Sequence, residues 1–77
     1  MLENKLFINL YVLALDQNYE LFIPVNERVG NIVNLINTSL MCNCSGVLIS
    51  LYSGQVYNNN DVVRNTDIKN GTKLILV

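Results

Sequence analysis

The sequence predicts a small α+β protein in which a mixed sheet of about five strands packs on one helix. Two runs of alternating apolar residues come first, a stretch with helical periodicity follows, and the last third returns to strand patterns. One helix and several strands bury their apolar surfaces economically when the helix covers one face of the sheet. The chain has 77 residues, 51% of them hydrophobic and 14% charged, so we expect a single folded domain over residues 1–77.

The first two strands form a predicted antiparallel hairpin. Residues 6–12 alternate between an aliphatic face and a second, mixed face, and residues 19–23 alternate again. Between them the segment 15–18, Leu-Asp-Gln-Asn, has the composition of a turn. Because proline has no backbone N–H, we expect Pro24 to end the second strand.

The hydrophobic period then changes to that of one amphipathic helix of about three turns. Asn26 is the expected N-cap, and Gly46 follows soon after the expected end. Gly30 lies inside the helix, where glycine costs up to ~1 kcal/mol of helix propensity. The apolar positions of the helix are Val29, Ile32, Val33, Ile36 and Leu40.

The last third of the chain predicts three more strands. Residues 47–52 alternate, Ser53-Gly54 forms a turn, and residues 56–57 make a short partner strand. Asn70-Gly71 turns the chain into a final strand over residues 73–77. Isolated apolar anchors lie in the loop between them, at Val62, Val63 and Ile68.

Composition and charge exclude several classes of function. Five basic and six acidic residues give a net charge of -1, which does not supply the electrostatic attraction that nucleic-acid binding needs. The chain has no His, and its carboxylates are expected to be solvated caps and turn residues, so no catalytic set, cofactor or metal site is predicted. The carboxylates considered are Asp16, Glu20, Glu27, Asp61 and Asp67.

The apolar N-terminal run is half the length of a membrane span and lacks a signal-peptide cleavage pattern, so we expect a cytoplasmic protein without membrane insertion. The two cysteines, Cys42 and Cys44, are expected to be reduced thiols. The alternatives are a short disulfide and a zinc site shared across a dimer, because two thiols cannot complete a tetrahedral zinc site.

The closing stretch GQVYNNNDVVRNTDIKNGTKLILV resembles the ubiquitin-like pattern of a Gly turn, a hydrophobic anchor, an isolated Ile and an apolar last strand. The matching positions are Gly54, Val63, Ile68, Leu74 and Leu76. This resemblance implies a ubiquitin-like β-grasp. Together with YELFIPVNERVGNIVNLINTSL, the stretch is similar to the EsaB/YukD family, small ubiquitin-like proteins associated with type VII (WXG100/ESX-like) secretion systems of Gram-positive bacteria.

Ubiquitin-like proteins that are conjugated carry a flexible Gly-Gly tail, whereas this chain ends at Val77 within its predicted last strand. We therefore expect no covalent transfer, and the EsaB/YukD resemblance implies the same. The expected role is that of a noncovalent accessory or regulatory protein, not an enzyme. The alternative is a general ubiquitin-like adaptor unrelated to secretion.

Strand alternation also predicts a candidate protein-interaction face. If the aliphatic positions face the helix, a second set faces outward and is unusually apolar, which favours a docking or dimer surface. Cross-strand pairs that stabilise the sheet are the alternative explanation. The expected partner is a protein, with a membrane component of the secretion machinery as the candidate and a homodimer as another. The inward set is Ile8, Leu10, Leu21, Ile23, Ile49, Leu51, Leu74 and Leu76, and the outward set is Phe7, Tyr11, Phe22, Leu48, Tyr52 and Ile75.

Overall fold

A computed structural model describes residues 4–42 and 46–77, and within these ranges the chain forms five strands, one α-helix and two 3-10 turns. The helix, α1, spans Val29–Leu40, and the 3-10 turns lie at Leu13–Leu15 and Val63–Asn65. Cys44 lies outside the described residues. The strands are β1 (Lys5–Val12), β2 (Gln17–Pro24), β3 (Leu48–Ser50), β4 (Val56–Tyr57) and β5 (Thr72–Leu76).

The strands form one mixed sheet in the order β2-β1-β5-β3-β4. β1 is antiparallel to β2 and parallel to β5, and β3 is antiparallel to both β5 and β4. β2 begins at Gln17, two residues earlier than the alternation predicted, because Asp16 has a φ of 51° and turns the chain at once. The predicted architecture of a five-stranded sheet on one helix is confirmed.

The core lies between the sheet and α1. The helix buries the predicted stripe except for its last member, Leu40, which is half-buried. Of the inward residues on the edge strand β2, Leu21 is only half-buried, whereas Ile23 is buried. The loop anchors Val63 and Ile68 are buried as well. The buried strand residues of the two central strands are Ile8, Leu10, Val12, Leu74 and Leu76.

The start of α1 is stabilised by a distant loop and not by the predicted cap. The amides of Val29 and Gly30 donate to backbone carbonyls of the loop 59–61, at 2.9 and 3.0 Å. Asn26 instead accepts a hydrogen bond from the Arg64 guanidinium. A helix leaves its first N–H groups without intrahelical partners, and this loop supplies them here.

β3 lies in the opposite phase from the predicted one. Leu48 is paired with Leu76, and Ser50 is paired with Leu74. Residues directly opposite each other in an antiparallel pair point to the same side of the sheet, and both partners are fully buried. Leu48 therefore points into the core with 2% of its surface exposed, and its prediction as an outward residue is wrong.

The observed phase of β3 also places two residues outside the core that were predicted to lie in it. Ile49 points away from the helix, and Leu51 lies beyond the end of β3 with 54% of its surface exposed. Ser50 takes an inward position, where its hydroxyl oxygen accepts N–H bonds from Tyr52 and Ser53 at 3.3 Å. A buried hydroxyl needs hydrogen-bond partners, and the tight turn after β3 provides them.

Candidate protein-docking face

The side of the sheet opposite α1, termed the outer face, carries the candidate site. On β1, the residues that alternate with the buried aliphatic positions point to this side, and their cross-strand neighbours extend the face over the other strands. A sheet supports side chains on a rigid backbone, which suits a preorganised docking surface. The outer face comprises Phe7, Asn9, Tyr11, Asn18, Glu20, Phe22, Ile49, Val56, Lys73 and Ile75.

One end of the outer face is an aromatic pair. Phe7 lies directly opposite Phe22, with ring centroids 5.5 Å apart and ring planes at 55°. This tilted geometry is favourable for aromatic quadrupoles. Phe22 keeps 53% of its surface exposed because β2 is the edge strand and no described strand lies on the side away from β1.

The other end is an apolar row that crosses four strands. Tyr11 on β1 is paired with Ile75 on β5, Ile75 with Ile49 on β3, and Ile49 with Val56 on β4. Val56 is 59% exposed at the far edge, while the other three are half-buried. Neighbouring strands lie about 4.8 Å apart, so the row forms a continuous apolar strip of about 15 Å.

A polar row separates these two apolar regions. Glu20 is paired with Asn9 across β2 and β1, and Asn9 with Lys73 across β1 and β5. The carboxylate and the ammonium therefore stand on either side of one asparagine. Charged groups between apolar regions add specificity to a protein contact more than affinity.

The hydroxyl of Tyr11 holds the turn beside the apolar row. It donates a hydrogen bond to Asp16, the left-handed residue that leads into β2. This bond, followed by burial and the negative charge of Asp16, raises the pKa of Tyr11. The ring is therefore a neutral, oriented part of the face.

The structure places four of the six predicted interaction residues on the outer face: Phe7 and Phe22 at one end, and Tyr11 and Ile75 at the other. Leu48 belongs to the core, as described above. Tyr52 is 98% exposed but lies in the turn after β3, outside the paired strands.

Sequence reasoning missed two members of the apolar row, Ile49 and Val56. Both follow from the register of β3, because Ile49 is paired with Ile75 and Val56 with Ile49. No sequence pattern indicated this phase, because it buries the polar side chain of Ser50, which is 3% exposed.

A second, polar concavity lies at the end of β3, where the Tyr57 hydroxyl donates to Asp67 at 2.6 Å. Burial, then the hydrogen bond and charge of Asp67, raises the pKa of Tyr57 to about 12. The Tyr57 phenol is therefore neutral near neutral pH and acts there as a hydrogen-bond donor to Asp67.

Other carboxylates also accept local hydrogen bonds. Asn31 donates to Glu27 at 2.9 Å, and the backbone N–H of Asn58 donates to Asp61 at 3.2 Å.

Within residues 4–42 and 46–77, no group of three or more Cys, Asp or Glu residues is placed to hold a metal ion. No helix in these ranges is long and apolar enough to cross a membrane.

A hairpin, a helix and a mixed sheet with the closing strand beside β1 define the ubiquitin-like β-grasp. The N-terminal ubiquitin-like domain of one protein, solved in solution, superposes with a TM-score of 0.77 at 21% identity, covering 96% of this chain and 74% of its own. Ubiquitin from Caldiarchaeum subterraneum gives a TM-score of 0.75 at 14% identity, covering 94% and 90%.

A structure described as molecular mimicry of SUMO that promotes DNA repair gives a TM-score of 0.80 at 17% identity, covering 97% of this chain and 92% of its own. These similarities show the fold. No family model and no curated protein matches the sequence.

Proposed function

We propose that this ubiquitin-like protein is a noncovalent accessory protein of a type VII secretion system that docks on another protein through its outer face. The observation that carries the docking role is the apolar row Tyr11–Ile75–Ile49–Val56 on the helix-free side of the sheet. Contiguous exposed apolar surface of this kind marks interaction sites. The fold itself is compatible with many functions, so the outer face, and not the fold, supports a docking role.

The arrangement of polar groups supports binding over catalysis. The described carboxylates that lie near tyrosines are engaged in hydrogen bonds, as in the pairs Tyr11–Asp16 and Tyr57–Asp67. Nucleophilic catalysis requires an activated nucleophile within reach of a base. The raised pKa values of Tyr11 and Tyr57 keep both phenols neutral near neutral pH, so neither hydroxyl is an activated nucleophile there.

The secretion assignment is supported by the EsaB/YukD resemblance of the stretch from Tyr19 to Val77, which also implies action without conjugation. In this proposal the protein works in the cytoplasm, where it binds a component of the secretion machinery exposed at the membrane. A general ubiquitin-like adaptor would use the same face with a different partner.

The experiment is crosslinking in the native host with tagged protein, followed by mass spectrometry of the captured proteins. Val56→Ser changes the exposed end of the apolar row, and Phe22→Ser changes the aromatic pair. Leu35→Ser is the matched control, because Leu35 on α1 is as exposed as Val56, at 59%, and lies on the opposite side of the molecule. Tyr52→Ser tests the exposed turn separately.

We expect wild type and Leu35→Ser to capture a membrane component of the secretion system, and Val56→Ser to lose it while its circular dichroism and melting curve stay unchanged. If Val56→Ser and Phe22→Ser both captured this component as well as the wild type does, docking through the outer face would be contradicted. Partners unconnected with secretion would support the general adaptor, and a ladder of covalent conjugates would overturn the noncovalent mechanism.

A further inference from the structure

The edge strand β2 is a long, regular strand with one side unpaired. It contributes eight residues, all of them paired with β1 in one continuous register without a bulge. Among residues 4–42 and 46–77, no strand pairs with its other side. Natural proteins protect such edges with bulges, prolines or charges, because free backbone groups are a template for another strand. Here the protection is limited to Glu20 in the middle and Pro24 at the end.

The direction of the free backbone groups follows from Phe7. Its N–H donates to the side chain of Asn70 and its C=O accepts from the Gly71 amide, so both groups point toward the β5 side and away from β2. Phe7 and Phe22 are therefore a non-hydrogen-bonded pair, and the backbone groups of Phe22 point to the open edge.

Alternation extends this assignment along the strand. Asn18, Glu20 and Phe22 each offer an N–H and a C=O to the open edge, whereas Pro24 offers only a C=O. The intervening residues Tyr19 and Leu21 direct theirs to β1. The edge therefore combines unpaired backbone donors and acceptors with the half-exposed ring of Phe22.

We propose that this edge pairs with the same edge of a second copy of the chain, antiparallel and around a two-fold axis at Phe22. Such an isologous contact is self-complementary, because each copy supplies the same donors and acceptors. Pairing at this edge does not depend on the secretion assignment, because it follows from the free backbone groups of β2 and from the side chains beside them.

Charge and aromatic packing favour an axis at Phe22 over one at Glu20. An axis at Glu20 would place two carboxylates directly opposite each other, which is destabilising. An axis at Phe22 places the two copies' Phe22 rings opposite each other and extends each Phe7–Phe22 pair into one row of rings. It also places Glu20 of one copy opposite Pro24 of the other, beside the ammonium of Lys5, which is paired with Pro24.

The contact is small, so we expect weak association that is driven by concentration. Amide hydrogen exchange of the full chain would be measured by NMR from about 10 µM to about 1 mM, with sedimentation in parallel. The amides of Glu20 and Phe22 should exchange more slowly as concentration rises. Those of Tyr19 and Leu21 should be protected at every concentration, because they bond to β1.

A backbone variant separates edge pairing from side-chain contacts. Glu20→Pro removes one N–H from the open edge and none from the β1 ladder, and Glu20→Gln keeps that N–H while removing the charge. We expect Glu20→Gln to dimerise within a few-fold of wild type and Glu20→Pro to remain monomeric, with both variants folded by circular dichroism. Concentration-independent exchange at Glu20 and Phe22, or dimerisation of Glu20→Pro equal to that of Glu20→Gln, would overturn the proposal.

Discussion

The hydroxyl of Tyr57 donates a 2.6 Å hydrogen bond to the carboxylate of Asp67, ten residues later in the chain, from a side chain that is only 3% exposed. The bond joins the short strand β4 to the loop before β5. The Tyr57 ring packs with the buried aliphatic residues, so the hydrogen bond ties the loop that carries Asp67 to the core.

This pair predicts a loss of stability in alkaline solution. The pKa of Tyr57 is raised from 10.0 to about 12 in the folded protein. Folding therefore favours the neutral phenol, and the stabilisation is complete below pH 10 and is lost as the pH rises from 10 through about 12. The loss approaches about 3 kcal/mol of the free energy of unfolding.

Urea unfolding at several pH values measures this loss, and Tyr57→Phe is the matched variant. Removing the hydroxyl should cost about 1 kcal/mol near neutral pH and flatten the alkaline dependence. An ultraviolet difference titration of the two proteins would assign the late-titrating tyrosinate. An equally steep alkaline loss in Tyr57→Phe would contradict the prediction.

Gly30→Ala should destabilise the protein although alanine is the better helix former. A Cβ on Gly30 would lie 3.0 Å from the Asn59 Cβ and 3.1 Å from the Asn59 carbonyl oxygen, which also accepts the Gly30 amide. The clash should cancel the ~1 kcal/mol propensity gain and cost about 1 kcal/mol further. Chemical denaturation measures the change.

Thr38→Ala is the control for this effect, because Thr38 lies in α1 and is exposed. It should gain a few tenths of a kcal/mol from helix propensity alone. A gain of similar size in Gly30→Ala would show that the loop yields to the added methyl group.

The phase of β3 can be tested by the relative cost of two neighbouring truncations. Leu48→Ala removes a buried side chain and should cost about 3 kcal/mol of the free energy of unfolding. Ile49→Ala removes a half-buried side chain on the outer face and should cost about 1 kcal/mol. Urea titration of both proteins gives the ranking, and the reverse order would support the phase that the sequence pattern suggested.

The aromatic pair on the outer face should contribute a measurable coupling. In a double-mutant cycle of Phe7→Ala and Phe22→Ala, we expect an interaction energy of about 1 kcal/mol, because the rings are 5.5 Å apart in a tilted arrangement. The control cycle combines Phe7→Ala with Val56→Ala, which lies on the far edge of the sheet. Equal coupling in both cycles would exclude a direct ring contribution.

The elements with one clear apolar phase were predictable from the sequence. α1 shows a single stripe at helical spacing, and β1 and β5 alternate so that one face is aliphatic. Register is strongly specified where only one phase can be buried, since a one-residue slip exposes the whole apolar set. The outward placement of Phe7, Tyr11, Phe22 and Ile75 followed from the same alternation.

The tertiary structure alone decided the phase of β3 and the capping of α1, because the local sequence is compatible with more than one arrangement at both places. Residues 47–52 are apolar in both phases, and only the pairing of Leu48 with Leu76 and Ser50 with Leu74 placed the serine inside and Ile49 on the outer face. Asn26 is a suitable helix cap by type, but the loop at Asn59 supplies backbone carbonyls to the helix instead. Local sequence specifies local geometry, whereas these contacts join distant segments whose approach depends on packing of the whole core.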